Sequence, residues 1–145
     1  MRSAEVMDIL LVEDNPGDAR LAKEAFQETE AGNALHWVND GVDAIHFLRR
    51  EGRHTDAPRP DLILLDLNLP RKDGREVLAE IKSDAELRRI PVVVLTTSQS
   101  HDDIQRAYAL NANCYITKPV VLEEFIRVAR TIQEFWFEVV QLPTR

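Results

Sequence analysis

Four stretches hold the residues best suited to chemistry: "ILLVEDN" with Glu13 and Asp14, "DLILLDLNLPRKDG" with Asp66, "IPVVVLTTS" with Thr96, and "YITKP" with Lys118. If the three carboxylates meet, they repel one another and their pKa values rise unless a cation compensates. Oxygen ligands in small number, with room left for water, suit Mg²⁺, which takes near-octahedral geometry at about 2.0–2.1 Å and stays partly hydrated. With Mg²⁺ and the ammonium of Lys118, the formal charges balance to zero. A lone acid after a strand can instead cap the next helix, and for Asp14 by itself both readings stand. The full constellation favours the cation.

Those residues converge only if the elements carrying them align. Apolar, largely β-branched runs recur at 8–14, 35–40, 61–67, 91–97 and 114–119, and their near-continuous character predicts parallel strands buried on both faces. Helical patterns separate them: Ala19, Ala22, Ala25 and Phe26 after Asp18; Val42, Ile45, Phe47 and Leu48 after Gly41; Val77, Leu78 and Ile81 after Gly74; Ile104, Ala107, Tyr108 and Leu110 after Asp102. Alternating units with right-handed crossovers predict an α/β fold, a doubly wound five-stranded parallel sheet in the order 2-1-3-4-5. In such a sheet ligands sit beyond the carboxyl ends of the strands, where the strand order reverses. Glu13, Asp14, Asp66, Thr96 and Lys118 all fall at those ends.

The same motifs, in this order, resemble the receiver domain of two-component response regulators, with Asp66 lying 52 residues after Asp14 and Lys118 52 after Asp66. The resemblance spans about residues 7–130 and implies the flavodoxin-like receiver fold. It implies that Asp66 accepts a phosphoryl group from a phosphohistidine on a sensor kinase, and that Glu13, Asp14, Asp66 and the backbone carbonyl of Asn68 hold Mg²⁺. It also implies that a cis peptide at Pro119 aims Lys118 into the site, and that Thr96 and Tyr115 form a two-residue switch. The opening "EDNPGDARL", the long connection at 49–61, "LNLPRKDGREVL" and the aromatic tail are most similar to the single-domain regulators that partner bacterial phytochrome kinases. That subtype implies a light-regulated histidine kinase as phosphodonor.

The residues support the same chemistry independently. Phosphoryl transfer spreads charge over three oxygens in a loose transition state, so the protein must align a nucleophile and neutralise that charge. Asp66 is the nucleophile, while Lys118 and the Thr96 hydroxyl bind phosphoryl oxygens. The new charge draws Thr96 inward, and Tyr115 fills the vacated space. An aspartate-dependent phosphatase would need a second acid two residues after the nucleophile, where Asn68 stands, and an amide cannot act as a general acid. The carboxylates after strand 1 would repel a flavin phosphate. We therefore expect a phospho-acceptor rather than an enzyme, the alternative being a phosphorylation-independent interaction module on the same fold.

Composition narrows the partners. With 18 Lys+Arg against 25 Asp+Glu, the net charge is −7, and the basic stretch at 49–59 is broken by acids and prolines, so it reads as a solvated loop. Nucleic acid and membrane are not expected partners. Cys114 is the only cysteine, which removes disulfide and thiolate-cage frameworks and fits a cytoplasmic protein. His36, His46, His54 and His101 are scattered and read as structural.

The division expected is a receiver domain over 1–130 and a C-terminal extension over 131–145, with the signal leaving through protein contacts. A helical pattern can run from about 121 to 142, with Leu122, Phe125, Ala129, Ile132 and Trp136 along one stripe. Phe135, Phe137 and Val140 fall off that stripe. The expected outcome is an extended arm, with Phe135, Trp136, Phe137 and Val140 forming the apolar surface of a homodimer.

Overall fold

The computed structural model describes residues 7–29, 32–96 and 114–135. Five parallel strands form one sheet: β1 (Met7–Val12), β2 (Asn33–Val38), β3 (Leu62–Asp66), β4 (Val92–Thr96) and β5 (Cys114–Thr117). Their order is β2-β1-β3-β4-β5, as the alternating pattern predicts. Val12 lies opposite both Val38 and Leu65, Asp66 opposite Leu95, and Thr96 opposite Thr117. The strands therefore finish nearly level, and the residues that follow them gather along one edge.

Four helices are described: α1 (Pro16–Gln27), α2 (Gly41–Arg49), α3 (Gly74–Ser83) and α4 (Leu122–Gln133). One core lies under α2 and α3, where Ala44, Ile45, Phe47, Leu48, Val77, Leu78 and Ile81 meet Leu10, Val12, Ile63, Leu65, Val92 and Val94. The opposite core lies under α1 and α4, where Ala22, Phe26, Phe125, Ala129 and Ile132 meet Ile9, Leu11, Leu62, Leu64 and Val93. Successive side chains of the inner strands β1, β3 and β4 feed the two cores in turn, which is why these strands are apolar on both faces.

The helix starts are set by short polar side chains. Asn15 caps α1 by accepting from the Asp18 N–H at 3.0 Å, and Pro16 occupies the first turn, where a missing donor costs nothing. The helix thus begins before Asp18, which stands inside its first turn rather than ahead of it. Asp40 caps α2 through the Asp43 N–H at 2.7 Å, and Asp73 and Glu76 form a reciprocal capping box at α3.

The stretch at 49–59 is mostly exposed, as expected of a solvated loop, and is anchored to α2. Arg53 and His54 both pair with Asp43, and the His54 ring meets Phe47 with centroids 5.1 Å apart. The stripe expected on the last helix holds at Phe125, Ala129 and Ile132, all buried, and Phe135 falls off it with 49% of its surface exposed. The helix expected around Ile104 to Leu110, His101, and the arm residues Trp136, Phe137 and Val140 lie outside the described residues. Among the described residues no helix is long and apolar enough to cross a membrane.

Candidate functional site

Three strand ends build the site. Glu13 and Asp14 follow β1, Asp66 is the last residue of β3, and Lys118 comes directly after β5. Ligand oxygens of Glu13, Asp14 and Asp66 all lie within 4.8 Å of one another, close enough for one cation to touch all three. Glu13 and Asp66 are buried, whereas Asp14 is exposed. An exposed acid beside two buried ones leaves the cluster open to solvent on one side, which suits a hydrated ion.

Lys118 closes the buried side. Its Nζ lies 2.5 Å from Glu13 Oε1, 2.8 Å from Asp18 Oδ2 and 3.0 Å from Asp66 Oδ2. Burial pushes the Glu13 carboxyl up to about 7; the hydrogen bond from Lys118 opposes this and the charge of Asp66 adds to it. Burial also works against the charge of Lys118, but hydrogen bonds to Asp18, Glu13 and Asp66 outweigh it and hold the ammonium above its ordinary range. A proton on Glu13 would weaken one of those three bonds and leave two, so Lys118 stays charged and Glu13 is the partner that surrenders its charge as pH falls. The balance reached from sequence needs correction accordingly. Asp18 adds a fourth carboxylate to the site and is one of three around the lysine, because the Lys118 side chain reaches the first turn of α1.

The lysine does not arrive by the expected route. The Lys118–Pro119 peptide is trans, with no cis bond among the described residues. Its place immediately past β5 and its three carboxylate partners aim the side chain instead.

The loop after β3 is equally constrained. Asp66 Oδ1 accepts from the Asn68 N–H at 3.0 Å, which turns the chain sharply after the strand. Arg71 adopts φ 67°, and the Lys72 N–H donates to the Pro70 carbonyl at 2.7 Å, so the loop makes a tight turn of three residues. Arg71 also lies 3.6 Å from the Asp40 carboxylate at the start of α2. Gly74 closes the loop, its N–H donating to the Leu67 carbonyl at 2.9 Å. A methyl group there would lie 2.3 Å from the Asp66 carbonyl oxygen and 2.5 Å from Leu67 Cα. Gly74→Ala should therefore destabilise the fold by about 1–3 kcal/mol in denaturant unfolding, because backbone rather than a flexible side chain must yield.

Tyr115 is half-buried on β5 against the core under α2 and α3. Thr96 ends β4, but its side chain lies outside the described residues.

Two contributors escaped the sequence reading. Asp18 carried a helix-start signal only. Trp37 belongs to no motif, yet its indole Nε1–H donates to the Glu13 carbonyl at 2.7 Å.

A doubly wound sheet with an acidic cluster at its switch point, closed by a lysine that reaches in from the end of the edge strand β5, defines a domain built to hold a divalent cation beside a buried carboxylate. Comparison with known proteins fixes the family: the chain belongs to the response regulator receiver domain family, whose model matches residues 9–130. It is 50% identical over 135 residues to the response regulator Rcp1 of Synechocystis, covering 93% of this chain and 92% of that protein. The Mn²⁺-bound structure of Rcp1 matches with a TM-score of 0.87 at 49% identity, covering 95% of this chain and 99% of that one. The phosphorylated cyanobacterial phytochrome response regulator RcpA superposes with a TM-score of 0.90 at 52% identity, covering 96% of this chain and 99% of that one. RPA3017, a response regulator in red light signalling of R. palustris, gives a TM-score of 0.90 at 32% identity, covering 97% and 100%. The expected likeness to phytochrome-linked receivers is thus met.

Proposed function

We propose that this chain is a response regulator in which Asp66 accepts a phosphoryl group from a histidine kinase of the phytochrome type, with Mg²⁺ held by Glu13, Asp14, Asp66 and the Asn68 carbonyl. The observation that carries this reading is the position of Asp66. Its buried carboxylate shares the 4.8 Å acidic cluster and also receives the ammonium of Lys118 at 3.0 Å. A carboxylate oxygen of Asp66 forms the new bond to phosphorus as the bond from phosphorus to the donor's histidine nitrogen breaks. Lys118 then follows the charge from the carboxylate onto the phosphoryl oxygens, a short shift for a side chain already between Asp66 and Glu13. Mg²⁺, when bound, supplies two further positive charges to those oxygens. Thr96 binds another oxygen, and its displacement frees the space into which Tyr115 turns. The phytochrome partner rests on the likeness to RcpA and RPA3017.

Incubation with acetyl phosphate and Mg²⁺ should add the mass of one phosphoryl group to the intact protein, and removal of Mg²⁺ with EDTA should prevent it. An unchanged mass with Mg²⁺ present would leave a phosphorylation-independent interaction module on this fold.

The domain reading is a receiver over 1–130 with an arm over 131–145 that joins two copies. Phe135, exposed just beyond α4, supports it, and Trp136, Phe137 and Val140 continue the apolar run. Sedimentation of the full chain should give a dimer, and a chain ending after Gln133 should give a monomer. Equal monomeric masses would remove the arm from the interface.

A further inference from the structure

Trp37 sits on the edge strand with 46% of its surface exposed, lining a shallow groove with Ala19, Arg20, Lys23 and Leu35 of its neighbours. It belongs to neither buried core. A large indole at an edge gains less from burial than one inside, so its hydrogen bond carries more of the explanation. That bond runs from Nε1–H to the Glu13 carbonyl at 2.7 Å, while the neighbouring Val38 carbonyl accepts from the Glu13 N–H at 3.1 Å. Strand β2 thus grips Glu13 by both of its backbone polar groups.

The carbonyl of Glu13 belongs to the peptide plane that joins Glu13 to Asp14. Fixing that plane fixes the directions in which the two acids leave the chain. The remainder of the bend follows from it: Glu13 Oε2 accepts from the Asn15 N–H at 3.1 Å, and the Asn15 side chain starts α1. We propose that Trp37 is a positioning residue for the metal site, its indole N–H holding the Glu13–Asp14 peptide so that both carboxylates reach the cation together with Asp66. This inference rests on the reading of the acidic cluster as a Mg²⁺ site. Outer groups that orient ligands commonly change metal affinity by tenfold or more when removed.

The test uses the full chain and Mg²⁺ alone. In a ¹⁵N NMR titration of the wild-type protein, the Trp37 indole N–H resonance should move with the same midpoint as the Asn15 amide. The chain has two tryptophans, and the Trp37 signal is identified by its loss in Trp37→Phe. In that variant a smaller aromatic ring still lines the groove but the donor is gone, and the Mg²⁺ dissociation constant, read from the Asn15 amide, should rise about tenfold. A role confined to packing would lower the melting temperature and leave that constant unchanged. An affinity within twofold of wild type overturns the proposal, as does an indole resonance that stays still while Asn15 shifts to saturation. Should no wild-type amide respond to Mg²⁺, the metal reading falls and takes this inference with it.

Discussion

Asp66→Asn should abolish phosphoryl uptake while leaving the fold intact. The substitution keeps the volume of a side chain that is 6% exposed, and an amide oxygen can still accept from the Asn68 N–H. What it cannot do is attack phosphorus, because the amide oxygen lacks the charge of a carboxylate and the amide nitrogen has no free lone pair. Its nitrogen also faces the Lys118 ammonium, so that hydrogen bond is lost. Two effects on metal-free stability then oppose one another. Lys118 loses one of its three acid partners, and Glu13 loses the charge of Asp66 that helps push its carboxyl up to about 7. The first destabilises and the second stabilises, each by about 1 kcal/mol, so the net change in denaturant unfolding should be small. Intact mass after acetyl phosphate and Mg²⁺ decides the chemistry. A phosphoryl adduct retained in Asp66→Asn would move the nucleophile to another group in the cluster.

The sequence made the inner strands readable because both faces of β1, β3 and β4 are covered, so apolar character runs unbroken there and the strand ends stand out as abrupt polar residues. It was weaker where a side chain does local work. The helical apolar pattern puts the start of α1 after Asp18, but Asn15 supplies the cap and Pro16 the first turn. Strand β2 begins at Asn33, two residues before the apolar run suggests, since backbone pairing to Met7 and Asp8 extends past it. The carboxylates and Lys118 were legible because each ends a strand in a fold whose strand ends meet. Asp18 as a partner of Lys118 was not, because it depends on how far the Lys118 side chain reaches toward the first turn of α1. Trp37 gave even less signal: an aromatic on a strand reads as packing, and only the three-dimensional placement of its N–H distinguishes it. The cis bond at Pro119 was inferred by resemblance, and here the ion pairs of Lys118 provide the orientation.

Lys118→Met should separate what the ammonium does for folding from what it does for chemistry. Methionine replaces the stem with an apolar chain of similar length, so packing is largely kept while Glu13, Asp18 and Asp66 lose their shared cation. Removing one side of a buried ion pair commonly costs about 3–5 kcal/mol. The carboxyls can avoid part of that cost by holding protons, which makes the loss depend on pH. Glu13 ordinarily titrates near 4.5 and in this fold near 7, even with Lys118 beside it. Between those values the native state holds a proton that the unfolded state has released, so this group's contribution to stability falls as pH rises through that window and is level on either side. Without Lys118 the upper limit of the window moves higher still. In the absence of metal, the variant should therefore lose more stability relative to wild type at pH 8 than at pH 5. Mg²⁺ should restore much of the loss at pH 8, because a divalent ion now occupies a site with no competing ammonium, and its affinity should exceed that of the wild type. Phosphoryl uptake should nonetheless fall by about 10²–10³, the scale on which a single charge-stabilising donor contributes to a transition state. Tighter Mg²⁺ binding with slower uptake would be hard to obtain from general unfolding. An equal stability loss at both pH values, indifferent to Mg²⁺, would mean that the carboxylates and Lys118 do not share one electrostatic field.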